Sequence, residues 1–145
     1  MGRSLTLAPT MPTIFTRIIE GELPGQFVLT DDRSVVFLSI NPVTPGHALV
    51  VPRAEIDHWL DLDPELAAHL MVVAHRIGLA QMRAFDAPRV GLVIAGLEVP
   101  HCHLHVIPMR SEADLHLSNS ARSVDPDELA ANAEKLTMAL TDLGY

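Results

Sequence analysis

The stretch EVPHCHLHVIP, residues 98–108, places a histidine at every second position. In an extended strand successive side chains point to opposite faces, so His101, His103 and His105 share one face and the residues between them share the other. The intervening residues are apolar and suit a protein core. The imidazoles cannot enter that core alone, because unpaired buried polar groups cost free energy. The stretch therefore predicts a strand with one core face and one face turned to water, a ligand cavity or a metal ion.

The length and composition of the chain indicate one domain. It has 145 residues, of which 48% are hydrophobic, enough for one core but short for two. The formal net charge of −8 argues against DNA or RNA as a partner, although local cations can still hold a small phosphate ligand. The single cysteine, Cys102, excludes an intrachain disulfide and fits a reducing compartment. Without a secretory or membrane-spanning apolar run, the sequence predicts a cytoplasmic protein with no membrane contact.

Apolar spacing predicts five β-strands. Three β-rich runs, residues 26–30, 34–40 and 47–52, are separated by short turn sequences, which is typical of an antiparallel meander. Two further strands are predicted at residues 89–96 and 101–108. Because the strands are grouped and helical segments are available to pack on them, the pattern predicts an α+β fold rather than an alternating α/β fold.

Three helices are predicted beside these strands. A short helix begins near Thr13. The strongest signal belongs to a long helix, in which Asp63 is a favoured N-cap, Pro64 is a favoured first residue and the following apolar residues recur at helical spacing. A C-terminal helix repeats these start signals at Asp125. The expected divisions are a flexible leader over residues 1–12, a domain over residues 13–110 and a C-terminal extension with a helix over residues 111–145.

Three kinds of chemistry are compatible with the histidine row. Imidazoles two residues apart on a strand lie roughly 6.6 Å apart and can converge on a metal ion, with Glu98, Glu112 and Asp114 as nearby carboxylates. No diagnostic metal motif accompanies these residues in the sequence. A structural row of satisfied histidines is the second alternative. In the third, a neutral imidazole attacks phosphorus while its neighbours donate protons to the phosphate oxygens or the leaving group.

The segment HCHLHVIP, residues 101–108, resembles the signature of the histidine triad (HIT) superfamily. The resemblance includes PGHALVVP at residues 45–52 and extends from about Ile14 to Arg110. It implies a HIT-like fold, with a five-stranded antiparallel sheet, one long helix, a short N-terminal helix and a C-terminal helix. It also implies a nucleotide hydrolase or nucleotidyl transferase that needs no metal or other cofactor and acts on a small nucleotide-like ligand. A homodimer is expected, in which the partner covers a sheet edge and the apolar face of the helix Asp63–Phe85.

The resemblance assigns a role to each histidine of the row. His103 is the expected nucleophile, which takes the nucleoside monophosphate as a covalent nucleotidyl-histidine. His105 is expected to contact the phosphate and the leaving group, while His101 and His47 support the row. The residues expected to lie against the base are Phe15, Ile18, Phe37 and Ile40.

Several positions depart from the pattern of this superfamily. Ser39 stands where close relatives with nucleoside phosphoramidase activity have an aspartate that holds the ribose hydroxyls. The phosphate-contacting asparagine falls near Val90, and Leu97 and Glu98 replace a polar pair after Gly96. Strand alternation leaves open whether Glu98 faces solvent or the triad. These changes support a second hypothesis, a nucleotide-sensing or partner-binding module whose catalysis has decayed.

Overall fold

The computed structural model describes residues 11–145 of the chain. Most of the leader predicted over residues 1–12 lies outside the described part, and Met11 and Pro12 carry no regular secondary structure. No helix within residues 11–145 is long and apolar enough to span a membrane. The domain boundaries expected at residues 12 and 110 stay predictions.

Five antiparallel strands form one sheet in the order β1-β2-β3-β5-β4. The strands are β1 Phe27–Thr30, β2 Ser34–Leu38, β3 Ala48–Pro52, β4 Arg89–Val93 and β5 Leu104–Met109. The first three form the predicted meander, and β5 pairs with β3 and places β4 at the sheet edge. This sheet confirms the predicted α+β, HIT-like fold class. The last strand is shorter than predicted, because residues 94–103 form a loop and regular pairing begins only at Leu104.

Three α-helices accompany the sheet and begin where the sequence predicts. They are α1 Ile14–Ile19, α2 Pro64–Ala84 and α3 Pro126–Asp142, with 3-10 turns at Trp59–Asp61, Glu112–Leu115 and Leu117–Asn119. The side chain of Thr13 caps α1, and the carboxylates of Asp63 and Asp125 cap α2 and α3. Each cap accepts a hydrogen bond from a main-chain N–H that the first turn leaves unpaired. The caps therefore set the starts of all three helices.

The larger core lies between the sheet and the helices α2 and α3. The apolar face predicted for α2 is buried there, with Leu70 and Ile77 fully covered, and α3 adds Leu136 and Leu140. The homodimer contact expected for this face is therefore wrong, because the sheet and α3 already cover it within one chain. The residues that alternate with the histidines also lie in this core, as alternation predicts. They are Cys102, Leu104 and Val106.

A smaller core occupies the opposite face of the sheet under α1. It consists of Phe15 from α1 and Val35, Phe37, Leu49 and Val51 from the central strands. Leu49 pairs directly with His105, and paired residues of antiparallel strands project to the same face. The histidine row therefore lies on the α1 side of the sheet.

Candidate active site

Four imidazoles come together on the α1 side of the sheet. His101, His103 and His105 arrive from the end of the 94–103 loop and the start of β5, and His47 arrives from the turn before β3. The ring centroids of His103 and His105 are 4.7 Å apart, and those of His47 and His105 are 5.2 Å apart. All four residues are buried. Their burial demands hydrogen-bond partners, and these partners fix what each ring can do.

His101 has both ring nitrogens engaged. Its Nε2 lies 2.7 Å from the carbonyl oxygen of Pro52, which only accepts, so Nε2 carries the proton. Its Nδ1 is then the acceptor for the Thr13 hydroxyl at 2.8 Å. Burial lowers the pKa of His101, which keeps the ring neutral. His101 is therefore a supporting residue with no nitrogen left to face a ligand.

A carboxylate anchors the start of α1 beside His101. Oε1 of Glu55 accepts hydrogen bonds from the main-chain N–H of Thr13 and from the hydroxyl of Thr16, both at 2.7 Å. These bonds lower the pKa of Glu55 and keep it ionised. The sequence indicates the helix start near Thr13 but not its pairing with Glu55, because no local pattern links residues 42 positions apart.

His47 and His105 form a hydrogen-bond chain with a fixed direction. The main-chain N–H of Val43 donates to Nδ1 of His47 at 3.0 Å, so neutral His47 carries its proton on Nε2. Nε2 of His47 donates to Nδ1 of His105 at 2.9 Å, so neutral His105 carries its proton on Nε2. Burial lowers the pKa of His47 to about 4 and that of His105 to about 3. At neutral pH, His105 therefore presents a proton donor.

His103 presents the opposite group. Its Nδ1 lies 2.7 Å from the carbonyl oxygen of His101 and donates to it, which leaves the lone pair on Nε2. That nitrogen has no hydrogen-bond partner within residues 11–145. The edge-to-face contact with Phe15, at 4.8 Å and 83°, holds the ring in place. Burial lowers the pKa of His103, so the ring is neutral and nucleophilic at pH 7.

The residues expected to bind the base are only partly brought together. Phe15 and Phe37 meet edge to face at 5.5 Å with Ile18 beside them, whereas Ile40 is 61% exposed and lies outside this cluster. Phe27 also packs edge to face on Phe37, at 5.9 Å, and is 39% exposed. Phe27 was not among the residues expected in this cluster, although its position near the start of a predicted strand is a usable signal for the contact with Phe37.

Ser39 is occupied by its own loop. Its hydroxyl accepts a hydrogen bond from the main-chain N–H of Asn41 at 3.2 Å. A serine oxygen retains further hydrogen-bonding capacity, but it offers a single oxygen where a carboxylate offers two. Ser39 therefore offers fewer acceptor oxygens to a ligand than an aspartate at this position would, and its place in a ribose site stays a prediction.

The loop after β4 carries Leu97 and Glu98 directly after Gly96. Gly96 adopts a φ of +80°, and Leu97 beside it is 97% exposed. Glu98 is exposed too, yet its charge partly offsets the burial that lowers the pKa of His103. The exposure of Glu98 agrees with the solvent-facing alternative, and its contact with the triad stays a prediction.

Val93, rather than Val90, lies beside the triad. The pairing of β4 with β5 sets Val93 directly opposite His105, so both project to the α1 side. Val90 packs against the larger core on the other face. The position expected near Val90 therefore faces away from the triad, because neighbouring residues of a strand project to opposite faces.

The geometry does not favour the metal alternative. Within residues 11–145, no group of three or more His, Cys, Asp or Glu side chains is arranged to hold a metal ion. His101 and His47 use both ring nitrogens in hydrogen bonds. Asp114, one of the carboxylates considered from sequence, accepts from the main-chain N–H of Arg110 at 2.8 Å.

Sheet, helices and imidazole row together define a histidine triad protein. The HIT domain family model matches residues 20–112, and the chain belongs to this family. An uncharacterized HIT-like protein of Saccharolobus solfataricus is 35% identical over 104 residues, which cover 68% of this chain and 75% of that protein. Adenosine 5'-monophosphoramidase HNT1 of Saccharomyces cerevisiae is 31% identical over 129 residues, covering 88% of this chain and 82% of the yeast protein.

Solved structures share the fold over most of the chain. A zinc-bound histidine triad family protein of Mycobacterium smegmatis superposes with a TM-score of 0.77 and 29% identity, covering 90% of this chain and 94% of that one. A HIT-like protein of Bartonella henselae gives a TM-score of 0.75 at 30% identity, covering 88% and 95%. The predicted family resemblance is thereby confirmed.

We expect the protein to lose stability as the pH falls below about 6.5. The buried His47 and His105 have pKa values of about 4 and about 3, whereas unfolded histidines titrate near 6.5. Between these values the unfolded chain binds more protons, so the free energy of unfolding falls with pH, by on the order of 1.4 kcal/mol per pH unit for each such histidine. Urea denaturation between about pH 7 and about pH 5 measures the slope.

The variant His47→Asn removes one of these titrating groups. Its free energy of unfolding is expected to depend less steeply on pH in the same window, which lies above the range where carboxyl groups titrate. Equal slopes for the variant and the unchanged protein would contradict a buried neutral His47.

Proposed function

We propose that the protein is a metal-independent hydrolase or nucleotidyl transferase acting through a covalent nucleotidyl-histidine at His103. Its substrate class is a small nucleoside phosphoramidate, nucleotide anhydride or dinucleotide. The observation that carries the proposal is the pair of complementary nitrogens on adjacent rings, a lone pair on His103 and an N–H on His105. The phosphoramidase activity named for the yeast relative supports this substrate class.

In the proposed reaction, Nε2 of His103 attacks the phosphorus and forms an N–P bond as the bond to the leaving group breaks. The Nε2 proton of His105 is placed to pass to the departing nitrogen or oxygen. The substituted imidazole carries a positive charge, which the hydrogen bond from its Nδ1 to the His101 carbonyl stabilises. Water then attacks the phosphorus, breaks the N–P bond, returns a proton to His105 and releases the nucleoside monophosphate.

Composition favours a small ligand and a cytoplasmic setting for this activity. The net charge of −8 disfavours a nucleic-acid backbone as the partner. The only cysteine in the sequence, Cys102, is a buried free thiol whose pKa burial raises to about 11. A thiol of this kind is unreactive and suits a reducing compartment.

Mass spectrometry of quenched reactions tests the proposal. A panel of nucleoside 5'-phosphoramidates, nucleotide anhydrides and dinucleotides is mixed with the protein, denatured within milliseconds and digested. We expect a nucleoside monophosphate adduct on His103, and turnover that persists in the presence of a chelator. Loss of turnover on chelation, with recovery on addition of zinc or manganese, would establish the metal hydrolase instead.

A nucleotide-binding module without catalysis is the second candidate. The altered recognition positions Ser39, Leu97 and Glu98 favour it, because they change ligand contacts while the sheet is preserved. Calorimetry against the same nucleotides, beside a turnover assay, separates the candidates. Binding without turnover supports the module, whereas turnover on the order of 1 per second or faster rejects it.

The Glu98 carboxylate is expected to select against anionic leaving groups. Its negative charge partly offsets the burial that lowers the pKa of His103, and the same charge should repel a departing phosphate or nucleotide. Changing Glu98→Ser should shift the ratio of kcat/KM for dinucleotides over aminated substrates upward by about 3- to 10-fold.

The matched control is Glu134→Ser, which removes an exposed carboxylate from α3 on the other side of the sheet. It changes the net charge equally and should leave the substrate ratio unchanged. If both variants give the same ratio, Glu98 acts only through the overall charge and lies outside the site.

We propose a homodimer that uses the outer face of α2 and the edge strand β4. Several large hydrophobic residues of this helix are exposed, namely Met71, Val72, Leu79 and Met82. Leu92 of β4 is exposed as well. An exposed strand edge beside such a patch is suited to pairing with a second copy. Light scattering at micromolar concentration should give the mass of a dimer.

Leu79→Glu is expected to give a monomer in the same measurement, because it places a charge in the exposed patch that the proposed dimer would cover. Met138→Glu, which changes an exposed hydrophobic residue on α3, is the control and should stay dimeric. A monomeric mass for the unchanged protein would refute the assembly.

A further inference from the structure

Gln81 is a fully buried polar residue on the sheet-facing side of α2. Its side-chain nitrogen donates to the carbonyl oxygens of Gly46 at 2.9 Å and Val106 at 2.8 Å. Because carbonyl oxygens only accept hydrogen bonds, the amide must turn its nitrogen toward both. Gln81 thereby ties the turn before β3 to β5.

Both acceptors of Gln81 adjoin the paired imidazoles of the site. Gly46 precedes His47 in the chain, and Val106 follows His105. These two imidazoles share the 2.9 Å hydrogen bond that leaves the proton of His105 on Nε2. The side chain of Gln81 therefore holds the main chain next to each end of that hydrogen bond.

The sheet alone cannot form this link. The register between β3 and β5 ends at Ala48 opposite Val106, and its continuation by two residues sets Gly46 opposite Pro108. Proline has no main-chain N–H to donate. The Gln81 amide supplies the donor that Pro108 lacks.

Stability does not explain why a glutamine occupies this position. Its Oε1 is buried and, within residues 11–145, has no hydrogen-bond partner. An unpaired buried acceptor costs free energy, which an apolar side chain of similar volume avoids at that atom. The amide is therefore better explained by its hydrogen bonds to the carbonyl oxygens of Gly46 and Val106 than by core packing.

We propose that Gln81 is a positioning residue that keeps His47 and His105 in hydrogen-bond contact and so fixes the Nε2–H tautomer of His105. The Thr44 hydroxyl also joins this turn to β5, through the carbonyl oxygen of Pro108 at 2.6 Å. Without the amide, the Gly46 carbonyl next to His47 loses its donor, and we expect His47 to shift away from Nδ1 of His105. A neutral imidazole without that donor populates both tautomers. The effect on turnover rests on the proposed function, whereas the effect on the tautomer does not.

Imidazole ¹⁵N NMR at neutral pH tests the proposal, with the His105 signals assigned from a His105→Asn spectrum. In the unchanged protein His105 should show a protonated Nε2 and an unprotonated Nδ1. In Gln81→Leu both nitrogens of His105 should shift toward the average of the two tautomers. Gln81→Met, which keeps the length of the side chain, is the second variant if leucine prevents folding.

Val73→Ala is the matched control, since it removes buried methyl groups from the same face of α2 about two turns away. It should lower the melting temperature and leave the His105 tautomer unchanged. An unchanged tautomer in the folded Gln81 variants overturns the proposal, as does an equal change in Val73→Ala.

Kinetics give the second readout for the same variants. Gln81→Leu should lower kcat about 10-fold with KM within twofold, because proton donation to the leaving group is affected and ligand contacts are not. A shifted tautomer in Gln81→Leu supports the positioning role even if the unchanged protein turns over no nucleotide. That pair of results would count against the proposed function alone.

Discussion

Replacing His103 with alanine is expected to lower kcat/KM by at least about 1,000-fold while the protein stays folded. The lone pair at the centre of the site is on Nε2 of His103, and this nitrogen has no hydrogen-bond partner within residues 11–145. His101 and His47 cannot replace it, because hydrogen bonds occupy both of their ring nitrogens. Steady-state kinetics on the best substrate of the panel measures the loss.

His75→Ala is the control for this prediction, because His75 is an exposed histidine on α2 away from the row. It should retain full activity. Circular dichroism and calorimetry should show that His103→Ala is folded and still binds the nucleotide. Turnover by His103→Ala within tenfold of the unchanged protein would disprove the covalent mechanism.

Changing Gly46→Ala is expected to lower the free energy of unfolding by about 2–4 kcal/mol. Gly46 has a φ of +89°, where an L side chain is strained. An added Cβ would also lie 2.7 Å from Cδ2 of Phe85, so the ring or the turn must move. Urea denaturation followed by circular dichroism measures the difference.

The variant Gly21→Ala separates the cost of backbone strain from the cost of the contact with Phe85. It has a similar φ of +84°, but nothing lies within 4 Å of its added Cβ, so Gly21→Ala should cost only about 1 kcal/mol. In a Phe85→Leu background the additional cost of Gly46→Ala should shrink, because the smaller side chain makes room. Equal losses in Gly46→Ala and Gly21→Ala would show that the Phe85 contact is unimportant.

Local patterns predicted the parts of the fold that depend on neighbouring residues. The predicted N-caps Asp63 and Asp125 and the predicted helix start near Thr13 are local signals, and the structure begins its three helices at them. The alternation around His103 correctly separated the imidazoles from the core residues Cys102, Leu104 and Val106. It did so although regular strand pairing begins only at Leu104, since Cys102 packs in the larger core while His101 and His103 contact Phe15 on the other face.

Contacts between distant segments could not be predicted in this way. Periodicity shows that one face of α2 is apolar, but not that α3 rather than a second chain helps to cover it. A glutamine at position 81 interrupts that face without revealing which carbonyls it reaches. The pairing of Glu55 with Thr13 joins a loop to a helix start. Such contacts depend on how distant segments pack in the folded protein, and the propensities of neighbouring residues do not predict this packing.

The fixed direction of the hydrogen bonds from Val43 through His47 to His105 limits how protons move in the proposed reaction. Nδ1 of His47 already accepts from a main-chain N–H, so His47 cannot take up a proton there to resupply His105. A proton that leaves Nε2 of His105 must return to the same nitrogen from the incoming water. Water therefore enters where the leaving group departs, and two in-line displacements by that route restore the original handedness at phosphorus.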